Sequence, residues 1–185
     1  TPLPQVVGLG QAHGADWQHT WDAMRGIEAA ALEGQPFCTY LTTGLVHPPF
    51  MAEQRHLDRI DAQTIDVPPL FGIEYTEHPA VRYQRIAKNC ASAFSPMLVR
   101  QMRHVYFAMI AALDEMVGRV VQQIDDLGLR DSTYIIFSSD HGEMAGEQNQ
   151  VLKRCMYEAS AHIPLIICGP NVRRGAVVDE PVSLV

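Results

Sequence analysis

Between Ser95 and Gly128 the sequence carries one uninterrupted helical period, and no other segment limits the fold so strongly. Leu98, Met102, Val105, Met109, Leu113, Met116, Val120, Ile124 and Leu127 recur at steps of three and four. The mean step of about 3.6 lays them along one face of a long amphipathic helix. Ser95 suits an N-cap, Pro96 suits the first helical position, and Gly128 suits the left-handed residue that closes such a helix. A second helix is predicted over residues 16–33, where Trp17, Trp21, Met24, Ile27 and Ala31 share a face and Gly34 closes the segment.

Three short apolar runs read as strands. Phe37–Thr43 is β-branched and aromatic and gives way to Gly44 and then His47-Pro48-Pro49, which cannot continue a sheet. Tyr134–Ser138 follows the turn Asp131-Ser132-Thr133 and ends at Ser139-Asp140-His141-Gly142, and Ile163–Cys168 breaks at Gly169-Pro170. Helices alternating with uniformly apolar strands predict an α/β fold whose sheet is covered on both faces and is parallel or largely so. Residues 48–94 hold several prolines and no sustained period, with His78-Pro79 as one break, and read as a long irregular excursion with a short helix near 80–90. The chain reaches Pro181-Val182-Ser183-Leu184-Val185 without a closing helix, as a piece cut from something longer would.

Charge and cysteine usage narrow the function classes. Asp and Glu number 21 against 14 Lys and Arg, a net charge of −7, and no basic run interleaves with aromatics. That pattern argues against nucleic acid as a partner. No stretch approaches the ~20 apolar residues that span a bilayer, and Thr1–Gly10 lacks a basic start followed by an apolar core. The four cysteines, Cys38, Cys90, Cys155 and Cys168, form no C-x-x-C pair, and Cys38 and Cys168 sit in apolar runs that predict buried, inert thiols.

Ligands of open α/β sheets gather beyond the carboxyl ends of strands, where loops converge polar groups over a rigid floor. Asp140 and His141 stand at one such end and His47 at another. A carboxylate beside a neutral imidazole suits a divalent cation, and Gly142 permits the turn that lets both face it. The same residues also read as a helix cap followed by a glycine turn, and spacing leaves both open. Lys153, farther along a polar stretch, is either an ordinary solvated lysine or a cation brought back to neutralise an anionic ester oxygen.

Taken together, Ser138-Ser139-Asp140-His141-Gly142-Glu143, Lys153 and Tyr157-Glu158-Ala159-Ser160-Ala161-His162-Ile163-Pro164 resemble the sulfatase family of the alkaline phosphatase superfamily. Asp16-Trp17, Pro36-Phe37, His47-Pro48, Ala87-Lys88-Asn89-Cys90 and Asp114-Glu115-Met116-Val117-Gly118 extend the resemblance over most of the chain. It implies an alkaline-phosphatase-like core with a mostly parallel sheet flanked by helices, and a metal-assisted sulfuric ester hydrolase acting on a sulfated uronate, a glycosaminoglycan or an aryl sulfate. It implies that Asp140 and His141 ligate one divalent ion, calcium in sulfatases. His47 would then bind the sulfate or protonate the leaving oxygen, and Lys153 would bind the ester. His162 falls where many members carry arginine, and either lines the substrate pocket or packs as a satisfied histidine.

The resemblance also has a gap. The Cys/Ser-x-Pro-x-Arg segment that supplies a formylglycine nucleophile is missing, as is an Asp-Asp metal pair on a first strand, and Cys168-Gly169-Pro170-Asn171-Val172-Arg173 is one residue too long. Residues 1–185 are therefore expected to be the C-terminal part of a sulfatase catalytic domain, inactive alone, with the nucleophile in an N-terminal part. A phosphodiesterase or phosphonate-ester hydrolase of the same superfamily, with His13 or His162 as a further ligand, and an inactive structural fragment are the competing readings.

Overall fold

In the computed structural model, residues 12–68 and 77–184 are described, together with the backbone of 5–7. The long helix, α4, runs from Pro96 to Asp126 and is capped as its sequence demands. Ser95 accepts a hydrogen bond from Leu98 N, and Gly128 takes φ +68 so that Leu129 N reaches Ile124 O at 2.9 Å. Its buried face is Val99, Met102, Val105, Ala108, Met109, Ala112, Met116 and Ile124. The face is thus rotated slightly from the predicted stripe, because small alanines admit close neighbours where Leu113 and Val120 stay half-exposed.

Ahead of α4 come β1 (Gln5–Val7), α1 (Gly14–Leu32), β2 (Met51–Glu53), α2 (Gln54–Leu57) and α3 (Pro79–Ala87). Pro79 opens α3 rather than breaking the chain, since a proline needs no donor at the first helical position, and His78 Nδ1 accepts from Ala80 N at 3.2 Å. After α4 follow β3 (Ile135–Ser138), α5 (Glu158–Ala161) and β4 (Leu165–Cys168). Leu45, Phe50, Ala52, Leu57, Cys90 and Val151 pack onto the α4 face as one apolar cluster. Each large side chain buried there contributes about 1.5–3 kcal/mol of transfer free energy.

The fold is α/β, with the described strands in two separate two-stranded sheets, and differs from the expectation in three ways. β1 and β2 pair in parallel, whereas β3 and β4 pair antiparallel, with Ile135 opposite Cys168 and Ser138 opposite Leu165. Phe37–Thr43 forms no strand, because no neighbouring strand among the described residues offers it a ladder. Among the described residues, β3 and β4 also lack the predicted double cover. Every residue of β4 is exposed, Ile136 on β3 is 65% exposed, and Cys38 and Cys168 are exposed rather than buried. Apolar patterning records what a strand can bury, and burial requires a second layer that the described residues do not supply here.

Candidate active site

His47 is delivered by a turn rather than by the end of a strand. Leu45 is buried in the α4 cluster, and His47 N closes the turn on Gly44 O at 2.8 Å. The turn is held from beneath by Asp16, a buried carboxylate on the first turn of α1 that accepts Gly44 N at 2.6 Å. The ring of His47 then lies at the surface with Nδ1 against the carbonyl of Pro48 at 2.7 Å. A carbonyl only accepts, so Nδ1 carries the proton and Nε2 presents a lone pair.

That lone pair meets the amine of Lys153. Nζ and Nε2 stand 2.5 Å apart across 106 residues of sequence, with the lysine donating. The His141 ring completes the group, its centroid 6.4 Å from that of His47. His141 Nδ1 donates to the carbonyl of Gly142 at 2.9 Å, which leaves Nε2 free and 3.5 Å from Asp140 Oδ2. The carboxylate of Asp140 is 83% exposed, open to whatever sits beside it. His47, Asp140, His141 and Lys153 are therefore brought together on one surface.

The sequence places the Asp140-His141 turn through its glycine. Gly142 N donates to Ser160 O at 2.8 Å, and a side chain at Gly142 would collide with the carbonyl oxygen of Ala159. Tyr157–Ala161 thus serves as the seat on which the turn rests. Glu143 then turns back, and its Oε1 accepts Ala145 N at 3.2 Å and Leu152 N at 2.5 Å, closing the loop that ends in Lys153.

His162 is not part of this group. It lies at the start of the β4 approach, 79% exposed, with Nδ1 3.2 Å from Glu158 Oε2. In this chain its ring is solvated beside Glu158 and is not packed. His13 is also committed elsewhere, its Nε2 on Met51 O at 2.8 Å and its Nδ1 3.9 Å from Asp16. Sequence reading assigned no task to Asp16, Glu143, Lys88 or Asn149. The signal was present in Asp16-Trp17, Lys88-Asn89-Cys90 and Asp140-His141-Gly142-Glu143, but a supporting residue reveals its task only through its partner.

A Sulfatase family model matches residues 11–185. Arylsulfatase K of Gallus gallus is 35% identical over 184 residues, covering 92% of this chain and 34% of the relative. Arylsulfatase K of Homo sapiens is 34% identical over the same coverage, so the chain spans about a third of the length of these relatives. A phosphonate monoester hydrolase from Silicibacter pomeroyi superposes with a TM-score of 0.76 at 29% identity, over 88% of this chain and 34% of that one. A protein solved in complex with its substrate D-glucosamine-2-N,6-O-disulfate shares the fold, with a TM-score of 0.69 at 22% identity over 84% of this chain and 43% of that one. On the match across 11–185 and these relatives, the chain belongs to the sulfatase family.

Proposed function

We propose that this chain carries the leaving-group side and part of the metal side of a sulfuric ester hydrolase acting on a sulfated sugar or aryl ester. The observation that carries the reading is the Lys153 Nζ to His47 Nε2 contact of 2.5 Å beside His141. Lys153 holds three N–H donors, of which one is engaged by His47 and two remain for sulfate oxygens. The pair shares one transferable proton between two nitrogens. Passing it to the departing oxygen converts an alkoxide into an alcohol, and solvent restores it afterwards. The Lys153 ammonium on this surface favours an anionic ester even though the chain is acidic overall, because local charge governs at contact distance.

Family membership implies a divalent metal, and the two predicted ligands fit one. Oδ2 of Asp140 and the free Nε2 of His141 are 3.5 Å apart, as two ligands of one ion can be at bond lengths of about 2.0–2.5 Å. Among the described residues no group of three or more His, Cys, Asp and Glu converges. Calcium, which takes about 6–8 oxygen ligands, would draw the remainder from other parts of the protein. Such an ion supplies Lewis-acid stabilisation of charge developing on the ester. The nucleophile, a formylglycine in this reading, belongs to the N-terminal part of the domain, with residues 1–185 as the C-terminal part.

A second reading is hydrolysis of a phosphonate monoester, favoured by the likeness to the Silicibacter pomeroyi enzyme and by an imidazole at position 141. The deciding experiment assays the full-length protein on a sulfated uronate, an aryl sulfate and a phenyl phosphonate ester. Lys153→Ala and His47→Ala are each expected to lower kcat/KM by about 10²–10⁴-fold, and His162→Ala by less than about threefold. Near-normal turnover in Lys153→Ala or His47→Ala removes that residue from the mechanism, and preference for the phosphonate selects the second reading.

A further inference from the structure

The loop that carries Lys153 cannot hold its own shape. Ala145, Gln148, Asn149, Leu152 and Arg154 all take positive φ, between 42° and 79°, without being glycine. Side chains in that region are strained, so the conformation persists only where surrounding contacts impose it. Three contacts do so. Glu143 ties Leu152 and Ala145 from within the loop. Asn149, buried, spreads its amide over Cys90 O at 3.1 Å, Ser92 O at 2.9 Å and Phe94 N at 2.7 Å, joining the loop to the segment before α4. The third contact reaches Lys153 itself, since Lys88 Nζ donates to its carbonyl oxygen.

Lys88 is well placed for such a task. It caps the C-terminus of α3, with its backbone N–H on Gln84 O and that of Asn89 on Ile86 O, and two residues later Cys90 is fully buried in the α4 cluster. The stem is anchored at both ends, and the ammonium is half-buried against a carbonyl rather than against a carboxylate among the described residues. Burial also pulls its amine below the ordinary lysine range, ahead of weaker raising influences from Cys155, Cys90 and Glu143. A surface lysine free to leave would not accept that penalty.

We propose that Lys88 is a positioning residue for ester hydrolysis: its ammonium fixes the main chain at Lys153, which sets the Lys153 amine on His47 Nε2. The proposal rests on the reading of Lys153 and His47 given above. Its test uses the full-length enzyme with Lys88→Met, Lys88→Gln, Lys88→Arg and Lys153→Ala, assayed on a nitrophenyl sulfate and on an alkyl sulfate whose leaving group needs a proton. Lys88→Met is expected to lower kcat on the alkyl sulfate about 10–100-fold, with a smaller loss on the nitrophenyl ester, KM nearly unchanged and an unaltered melting temperature. Lys88→Arg, which keeps a charged donor, should recover most of the loss. Lys88→Gln should fall between them and serves if Lys88→Met does not fold. Equal losses on both esters, or a normal Lys88→Met beside a crippled Lys153→Ala, overturn the positioning role and leave the functional reading standing. A normal Lys153→Ala overturns both.

Discussion

The α4 platform and the β3–β4 ladder are written in equally apolar sequence, yet they meet opposite fates. On α4, Met102, Val105, Met109 and Met116 vanish beneath Leu45, Phe50, Ala52, Cys90 and Val151. On the ladder, Ile136, Leu165, Ile166 and Ile167 all remain exposed. The platform closes because its partners lie within the chain: the turn before His47, the segment after Lys88 and the loop before Lys153 all supply residues to one cluster. The ladder stays open because its two strands can cover only each other's edges, and a sheet face needs a layer above it. His47 and Lys153 ride on the closed region. Asp140 and His141 sit at its border, where β3 ends.

The contrast breaks or sharpens under substitution. Met109→Ala empties a fully buried position and should destabilise the chain by about 2–5 kcal/mol. Urea unfolding followed by circular dichroism measures it, and a loss as small as that of a surface change would show that the platform core is not closed. A smaller effect is expected at Glu115, where α2 meets α4 and Arg55, His56 and Arg119 converge on one carboxylate at 2.7, 3.1 and 3.2 Å. Burial alone would raise this carboxyl, but hydrogen bonds from His56, Arg119 and Arg55 outweigh it and hold it below the ordinary range. With the folded value below the unfolded one, the stabilisation is complete above the ordinary carboxylate pKa of about 4.3 and disappears as pH falls through the folded value. Glu115→Gln should therefore lose less than about 1 kcal/mol at neutral pH, since Arg55 and Arg119 are largely solvated. The difference from the parent should shrink on acidification, and a gap that widens instead would reverse the assigned sign.

The smallest effect belongs to the ladder. Ile136→Ser in the 185-residue chain should lower the unfolding free energy by no more than about 0.5 kcal/mol, as surface changes do. In the full-length protein the same change should approach the Met109→Ala loss if a second layer covers β3. A large loss in the short chain would mean that β3 already packs on something and would erase the distinction between the two regions.

Much of the platform was readable one residue at a time. The caps of α4 at Ser95, Pro96 and Gly128, the closing of α1 at Gly34 and the strands around Ile135–Ser138 and Leu165–Cys168 follow from local chemistry, which acts between neighbours in sequence. So did the grouping of an acid and an imidazole at 140 and 141, because a strand end and a glycine place adjacent residues in one turn. The strand predicted at Phe37–Thr43 and the burial of Cys38 and Cys168 did not follow. Composition states that a segment is able to be buried, and only a neighbour decides whether it is.

What the amino-acid order determined by itself was α1, α4, β3 and β4, the caps and turns that bound them and the family motifs, each a matter of residues a few places apart. Tertiary structure alone decided that Lys153 meets His47, that Lys88 holds the carbonyl of Lys153 and that His162 stands away in solvent. Those pairings span from dozens to more than a hundred residues, and no local rule of spacing reaches that far. They arise because one buried helix face gathers distant segments onto a common floor.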